Sequence, residues 1–211
     1  MKEKWKAKLE NIERQLQAQD YASASTSCSY LARELLDNIG SGGSSGRALG
    51  IICAYRAIAE TGLGNGDKGL WYWRTAQVLF PGIEDIDLHS YEPISEQLKA
   101  ARFRQSFPED TLNDNWTAGA NENPPEARHK PKPRYPHGMI TVGVEATYKI
   151  EVVIDVDGQV KEPKLITKVA EPALVYAILT AVGEWKYRPA LLGGKPVPVL
   201  GTVIVDFNLR R

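Results

Sequence analysis

Two runs that alternate apolar and polar residues, 147–156 and 159–168, are separated by Asp157-Gly158. Glycine accepts a positive φ without a Cβ clash, so Asp-Gly between alternating runs predicts one antiparallel hairpin. Nothing else in the chain constrains the fold as tightly, because period-two alternation decides which side chains share a buried face. Further on, Leu174, Ile178, Ala181 and Trp185 recur at helical spacing within residues 171–186. Pro189 lacks the N–H that a helix interior needs, which predicts the stop. A turn at Gly193-Gly194 leads into a closing strand, 199–209. There Val203, Val205, Phe207 and Leu209 share one face, and Thr202, Ile204, Asp206 and Asn208 the other. The order is strand, strand, helix, strand, which predicts a three-stranded antiparallel sheet.

Four motifs punctuate this stretch: Tyr135-Pro136, Asp157-Gly158, Trp185-x-Tyr187-x-Pro189 and Gly194-Lys195-Pro196-Val197. In this order and spacing they make residues 134–211, roughly a third of the chain, resemble the TonB C-terminal domain family of periplasmic energy transducers. The resemblance implies a β-β-α-β domain with the helix on one face of the sheet. It also implies a free edge that receives the N-terminal box of an outer-membrane receptor as an added strand. A three-stranded sheet leaves two edges of unpaired N–H and C=O groups, and such an edge is what β-augmentation uses. Carried to matching positions, partner binding is expected along Val199, Thr202, Val203, Ile204, Val205, Asp206 and Phe207, with Arg134, Tyr135 and Pro136 alongside. Trp185 and Tyr187 are read as structural, Trp185 sealing the helix onto the sheet and Tyr187 lying over its edge. Pro189, Asp157 and Gly158 are likewise structural.

The first hundred residues follow helical periods. Trp5, Leu9, Ile12 and Leu16 mark one helix, which Asp20 breaks; Ala24, Cys28, Leu31 and Leu35 mark a second, ended by Gly40. The Gly/Ser stretch 40–46 lacks the preceding strand and the Gly-Lys-Ser/Thr ending of a phosphate loop and reads as a connector. Residues 51–63, 67–80 and 93–103 predict three more helices. Ala57, Gly69, Trp73, Ala76 and Pro81 have the small, aromatic, small, proline spacing of a tetratricopeptide repeat, and residues 21–24 echo it. Residues 1–103 therefore resemble tetratricopeptide-like helical hairpins. Trp71 and Tyr72 are candidates for a helical groove, with Trp71 expected on the more exposed side. Residues 104–133, rich in Pro, Asn and charge, read as a linker in which Trp116 is the one large apolar group.

The fold class expected is α+β in two domains, 1–103 and 134–211, joined by 104–133. With 43% hydrophobic and 25% charged residues, disorder throughout is excluded. Net charge is zero, but residues 1–127 carry −5 and residues 128–211 carry +5; no basic stripe interleaves with stacking aromatics, so nucleic acid is not expected as a partner. No apolar run approaches the roughly 20 residues of a membrane span, so the chain as written reads as soluble, without the anchor that TonB proteins carry. Cys28 and Cys53 admit one disulfide or two buried thiols. His89, His129 and His137 are scattered, and Asp155-x-Asp157-Gly158 has Val153 and Lys164 where a calcium loop needs its first and last ligands. No metal, cofactor or catalytic group is expected. The reading is a non-catalytic periplasmic interaction protein, anchored or exported in its native gene. It is a TonB-like energy transducer or relative that captures a receptor strand, with a homodimer as another use of the edge. The alternative is an assembly adaptor that works through its helical repeats without energy transduction.

Overall fold

A computed structural model describes residues 3–38, 45–101, 124–168 and 170–209. Among them, the N-terminal part holds α1 (Glu3–Gln17), α2 (Tyr21–Asn38), α3 (Ser45–Gly62), α4 (Gly66–Leu79) and α5 (Ile94–Ala100), with 3-10 turns at Pro81–Asp85 and His89–Tyr91. Then follow β1 (Glu126–His129), α6 (His137–Thr141), β2 (Ala146–Ile154), β3 (Val160–Leu165), α7 (Pro172–Val182), β4 (Lys186–Arg188), β5 (Ala190–Leu192), β6 (Lys195–Val197) and β7 (Val199–Phe207). The fold class is α+β. Two compact units divide the chain: one is built from α1 to α5 and takes in Pro136–Val142 and Glu171–Tyr176, and the other holds Gly143–Ala170 and Ala177 onward with the segment before Pro136.

In the helical unit, α1 packs on α2, α2 on α3 and α3 on α4. The corners follow from local chemistry. Gln19 takes a positive φ of 58°; its N–H bonds back to Leu16 and that of Asp20 to Gln15, which satisfies the last carbonyls of α1. The Asp20 carboxylate then accepts the Ser23 N–H at 3.2 Å and starts α2. Gly64, at φ +83°, closes α3 the same way, its N–H on Thr61 and that of Asn65 on Glu60. Gly69 lets α4 approach α3: a Cβ there would stand 2.0 Å from Thr61 Oγ1 and 3.0 Å from the Ala57 carbonyl. Ala57, Trp73 and Ala76, singled out by their spacing, are fully buried at this contact.

Three expectations for the helices need correction. Helix α3 begins at Ser45, six residues before the apolar stripe suggested, so the connector is shorter; residues 39–44 lie outside the described residues. Helix α5 is shorter than expected, ending at Ala100. Trp71 is buried, 8% exposed, as is Tyr72 at 5%. Helix α4 packs on α3 and also on the 3-10 turn Pro81–Asp85 and on α5. Its buried positions therefore spread over more than half its circumference, leaving no exposed aromatic stripe. Cys28 and Cys53 are both buried free thiols, and desolvation pushes the Cys28 thiol up to about 12.

In the C-terminal unit the strand order is β3-β2-β7, all antiparallel. Tyr148, Ile150 and Val152 of β2 and Val203, Val205 and Phe207 of β7 are buried on the inner face. The β2–β3 turn works through one carboxylate: Asp155 Oδ1 accepts the N–H of Asp157 (3.0 Å) and of Gln159 (2.8 Å). Gly158 sits at φ +77°. It donates to the Asp155 carbonyl and accepts the N–H of Tyr187 at 2.8 Å. A Cβ on it would stand 1.9 Å from the Tyr187 carbonyl, so glycine is needed both for the turn and for this close approach.

The largest departure from the expectation is at the end of α7. The helix stops at Val182, not at Lys186, and Pro189 is not its terminator. Gly183 is a poor helix former, and Lys186–Arg188 is drawn into extended pairing with β1, Glu126 opposite Arg188 and Ala127 opposite Tyr187. That partner lies in the stretch read as linker. Trp185 is thus off the helix, yet buried at 2% exposure. A hairpin, β5–β6, turns at Gly193 and Gly194, both at positive φ. Trp116 lies outside the described residues.

Candidate partner-binding groove

The last strand pairs with β2 in an unbroken register from Ala146 opposite Phe207 to Ile154 opposite Val199. On β2, Lys149 turns its backbone toward β3: its carbonyl accepts the N–H of Ile166 and its N–H donates to Thr167 Oγ1, each at 2.9 Å. In an antiparallel pair, opposed residues exchange both hydrogen bonds or neither. Ile204, opposite Lys149, therefore points its N–H and C=O away from β2. The unbroken register carries this parity along the strand, so Thr202, Ile204 and Asp206 present their backbone groups to the outer edge, and Val203, Val205 and Phe207 bond to β2. The outward residues also have exposed side chains, Ile204 at 57%. Strand β7 is terminal in its sheet.

Beside this edge lies a groove of about 410 Å³. One wall is Ile204–Phe207 with Asn208; Lys130, Pro131, Lys132, Pro133 and Tyr135 line the other, together with Trp185. Trp185 reaches this segment directly. Its indole N–H donates to the Pro131 carbonyl at 2.9 Å, and the Lys130 ammonium stands 4.4 Å from the ring centroid. Tyr135 is held at two points: its hydroxyl donates to the Val144 carbonyl, and its ring meets Phe207 edge-on with centroids 4.9 Å apart. Burial pushes the Tyr135 and Tyr187 phenols above their ordinary range. The Asp206 carboxylate accepts the Thr147 hydroxyl at 2.6 Å.

The structure thus gathers Tyr135, Ile204, Val205, Asp206 and Phe207 at one groove. Pro136 is buried and begins α6, and Arg134 is exposed; neither lines the groove, nor do Val199, Thr202 and Val203. Trp71 and Tyr72 belong to the interior of the helical unit. Sequence reasoning gives Lys130, Pro131, Lys132 and Pro133 to the linker, places Asn208 on the outer face of the last strand without a binding role, and gives Trp185 to the helix; the Lys-Pro alternation is the signal that could have marked the second wall. Chemically, the groove offers alternating main-chain donors and acceptors along β7, two exposed ammonium groups and aromatic surface. Among the described residues, no three His, Cys, Asp or Glu stand together as a metal site requires.

Comparison with known families singles out the same stretch. Residues 131–209 match the family model of the Gram-negative bacterial TonB protein C-terminal. The resemblance carried by the four motifs is therefore shown for the TonB-like unit. A relative, Protein TonB of Vibrio cholerae, is 31% identical over 78 residues, which are 37% of this chain and 32% of that protein. The chain thus spans about a third of the length of the curated relative it matches. Among the described residues, no helix is long and apolar enough to cross a membrane.

Proposed function

We propose that this chain is a non-catalytic periplasmic interaction protein, a TonB-like energy transducer or a relative of one. In this reading its TonB-like unit captures an extended peptide of an outer-membrane receptor as a strand added to β7. Residues 1–103 form a tetratricopeptide-like unit, and the chain from 104 connects it to a TonB-like unit that takes in β1 and the segment 130–135. The observation that carries the reading is the outer edge of β7. Thr202, Ile204 and Asp206 turn their backbone groups outward there, and among the described residues a groove lies alongside instead of another strand. An added strand gains main-chain hydrogen bonds at such an edge whatever its side chains, and the half-buried ring of Tyr135 receives those that alternate inward.

The test is a titration of the isotope-labelled full chain with N-terminal box peptides of outer-membrane receptors, followed residue by residue by NMR. Shifts are expected to concentrate on Thr202, Ile204, Asp206 and Tyr135. Ile204→Pro removes one outward donor at an edge where proline is tolerated, and it leaves the bonds of Val203 and Val205 to β2 in place. Affinity is expected to fall roughly tenfold or more, in line with about 1 kcal/mol for the lost bond and added obstruction by the ring. Unchanged affinity in that variant, or shifts confined to other strands, sinks the reading.

A further inference from the structure

The segment facing β7 has a pattern of its own. From 130 to 135 exposure alternates: Lys130, Lys132 and Arg134 are exposed, while Pro131, Pro133 and Tyr135 are half-buried. Period-two alternation is the mark of an extended chain with one face turned inward. It is pinned at both ends, by the indole N–H of Trp185 on the Pro131 carbonyl and by Tyr135 on Val144 and Phe207. Four residues of extended chain reach only about 12–13 Å, so the span between the pins has little slack. Trp185 itself is buried.

Pro131 and Pro133 stand two apart and therefore share one edge of this segment, the edge whose carbonyl meets Trp185. Proline has no N–H. Trp185 lines the groove together with Ile204–Phe207, so this is the edge turned to it; it offers acceptors and no donors, whereas pairing with β7 requires each facing residue to supply both. An extended segment lying beside an open strand edge is otherwise the natural candidate to zip onto it.

We propose that residues 130–135 are a strap that holds the edge of β7 open, with the alternate prolines preventing self-pairing and Trp185 acting as the positioning residue that latches the strap. The strap and β7 are then the two walls of a slot for a single extended strand. That strand meets donors and acceptors on the β7 side and, on the other, carbonyls alone: that of Pro133 and that of Pro131, which already accepts the Trp185 indole N–H. Only the identity of the occupant rests on the strand-capture reading. The strap itself does not.

The experiment uses the full chain without peptide. Pro131→Ala with Pro133→Ala restores two N–H groups; added to Trp185→Phe, which releases the pin at Pro131, it is expected to let the strap close onto β7, slowing amide hydrogen exchange at Thr202, Ile204 and Asp206 at least tenfold. Trp185→Phe keeps a ring and removes the indole donor. The amides of Lys130 and Lys132 are then expected to gain fast motion, read as lower heteronuclear NOE, with the cross-strand contacts between Lys149 and Ile204 unchanged. Edge exchange within twofold of the parent in the triple variant, or an unaltered strap in Trp185→Phe alone, overturns the proposal. A parent chain that binds no receptor peptide but passes both tests keeps the strap and loses only the assigned occupant.

Discussion

Replacing Trp185 by Ala is expected to unfold the C-terminal unit, not merely to weaken partner binding. The ring is 2% exposed, and removing a buried Trp costs about 3–5 kcal/mol in transfer and cavity terms together. The variant also loses the hydrogen bond to Pro131 and the contact with Lys130. A unit of roughly 80 residues holds on the order of 4–12 kcal/mol in all, so the loss takes about half of a mid-range value and nearly all of a low one. In urea, with a slope of roughly 1.5 kcal/mol/M for a unit this size, the midpoint is expected to fall by about 2 M or more. The measurement is a urea titration of the full chain read from the NMR signals of β2 and β7, which keeps the helical unit out of the readout. A Trp185→Ala chain with the parent midpoint and no peptide binding would reverse the assignment and make Trp185 a binding residue first.

The second large effect is expected at Glu60, buried at 2% exposure where α3 ends. Its carboxylate accepts Ser25 Oγ of α2 at 2.7 Å, Asn65 Nδ2 of the following turn at 3.0 Å and Lys68 Nζ of α4 at 2.8 Å. One side chain thus ties three helices. Desolvation alone pushes this carboxyl up, but the hydrogen bonds from Lys68, Ser25 and Asn65 together with the Lys68 charge outweigh it and hold the group below its usual range. A depressed folded-state pKa gives stability that is fully present above the unfolded value, about 4.3, and that is lost as pH falls through the folded value. Acid loosening of the helical unit is therefore expected below about pH 4, and Glu60→Gln is expected to flatten that dependence. At neutral pH the same substitution is expected to cost about 2–3 kcal/mol, since a neutral amide with one acceptor oxygen then faces the three donors that the carboxylate held. Amide exchange of α2 to α4 between pH 3 and 7 checks both. An acid profile identical in parent and variant would mean that other carboxylates govern it.

What could be read from sequence was what depends on neighbours along the chain. Asp157-Gly158 gave the hairpin because its turn is closed by Asp155 and Gly158 themselves. The alternation of 199–207 was legible because each residue's face follows from the one before. Ala57, Gly69, Trp73 and Ala76 were legible because the contact between α3 and α4 demands small and large residues at fixed spacing. The misses are long-range. Nothing near Lys186 announces that a strand nearly sixty residues earlier pairs with it, so periodicity alone extends α7 too far and assigns β1 to the linker. Trp71 was expected exposed because periodicity describes one contact face, whereas α4 has more than one. At the groove, the β7 wall was readable and the strap wall was not. Its prolines argue against a strand, which is correct, but also hide that an indole holds the chain in place.

The parity of β7 has a consequence for how this surface can change. Its outward row of donors and acceptors belongs to the main chain of Thr202, Ile204 and Asp206, and every amino acid except proline supplies the same two groups. Mutation at these positions can retune charge and bulk around the edge, but it cannot erase the edge one side chain at a time. Selectivity between partners has to be tuned instead by the walls around it, and evolutionary drift along β7 should be tolerated more readily than drift at Trp185 or Tyr135.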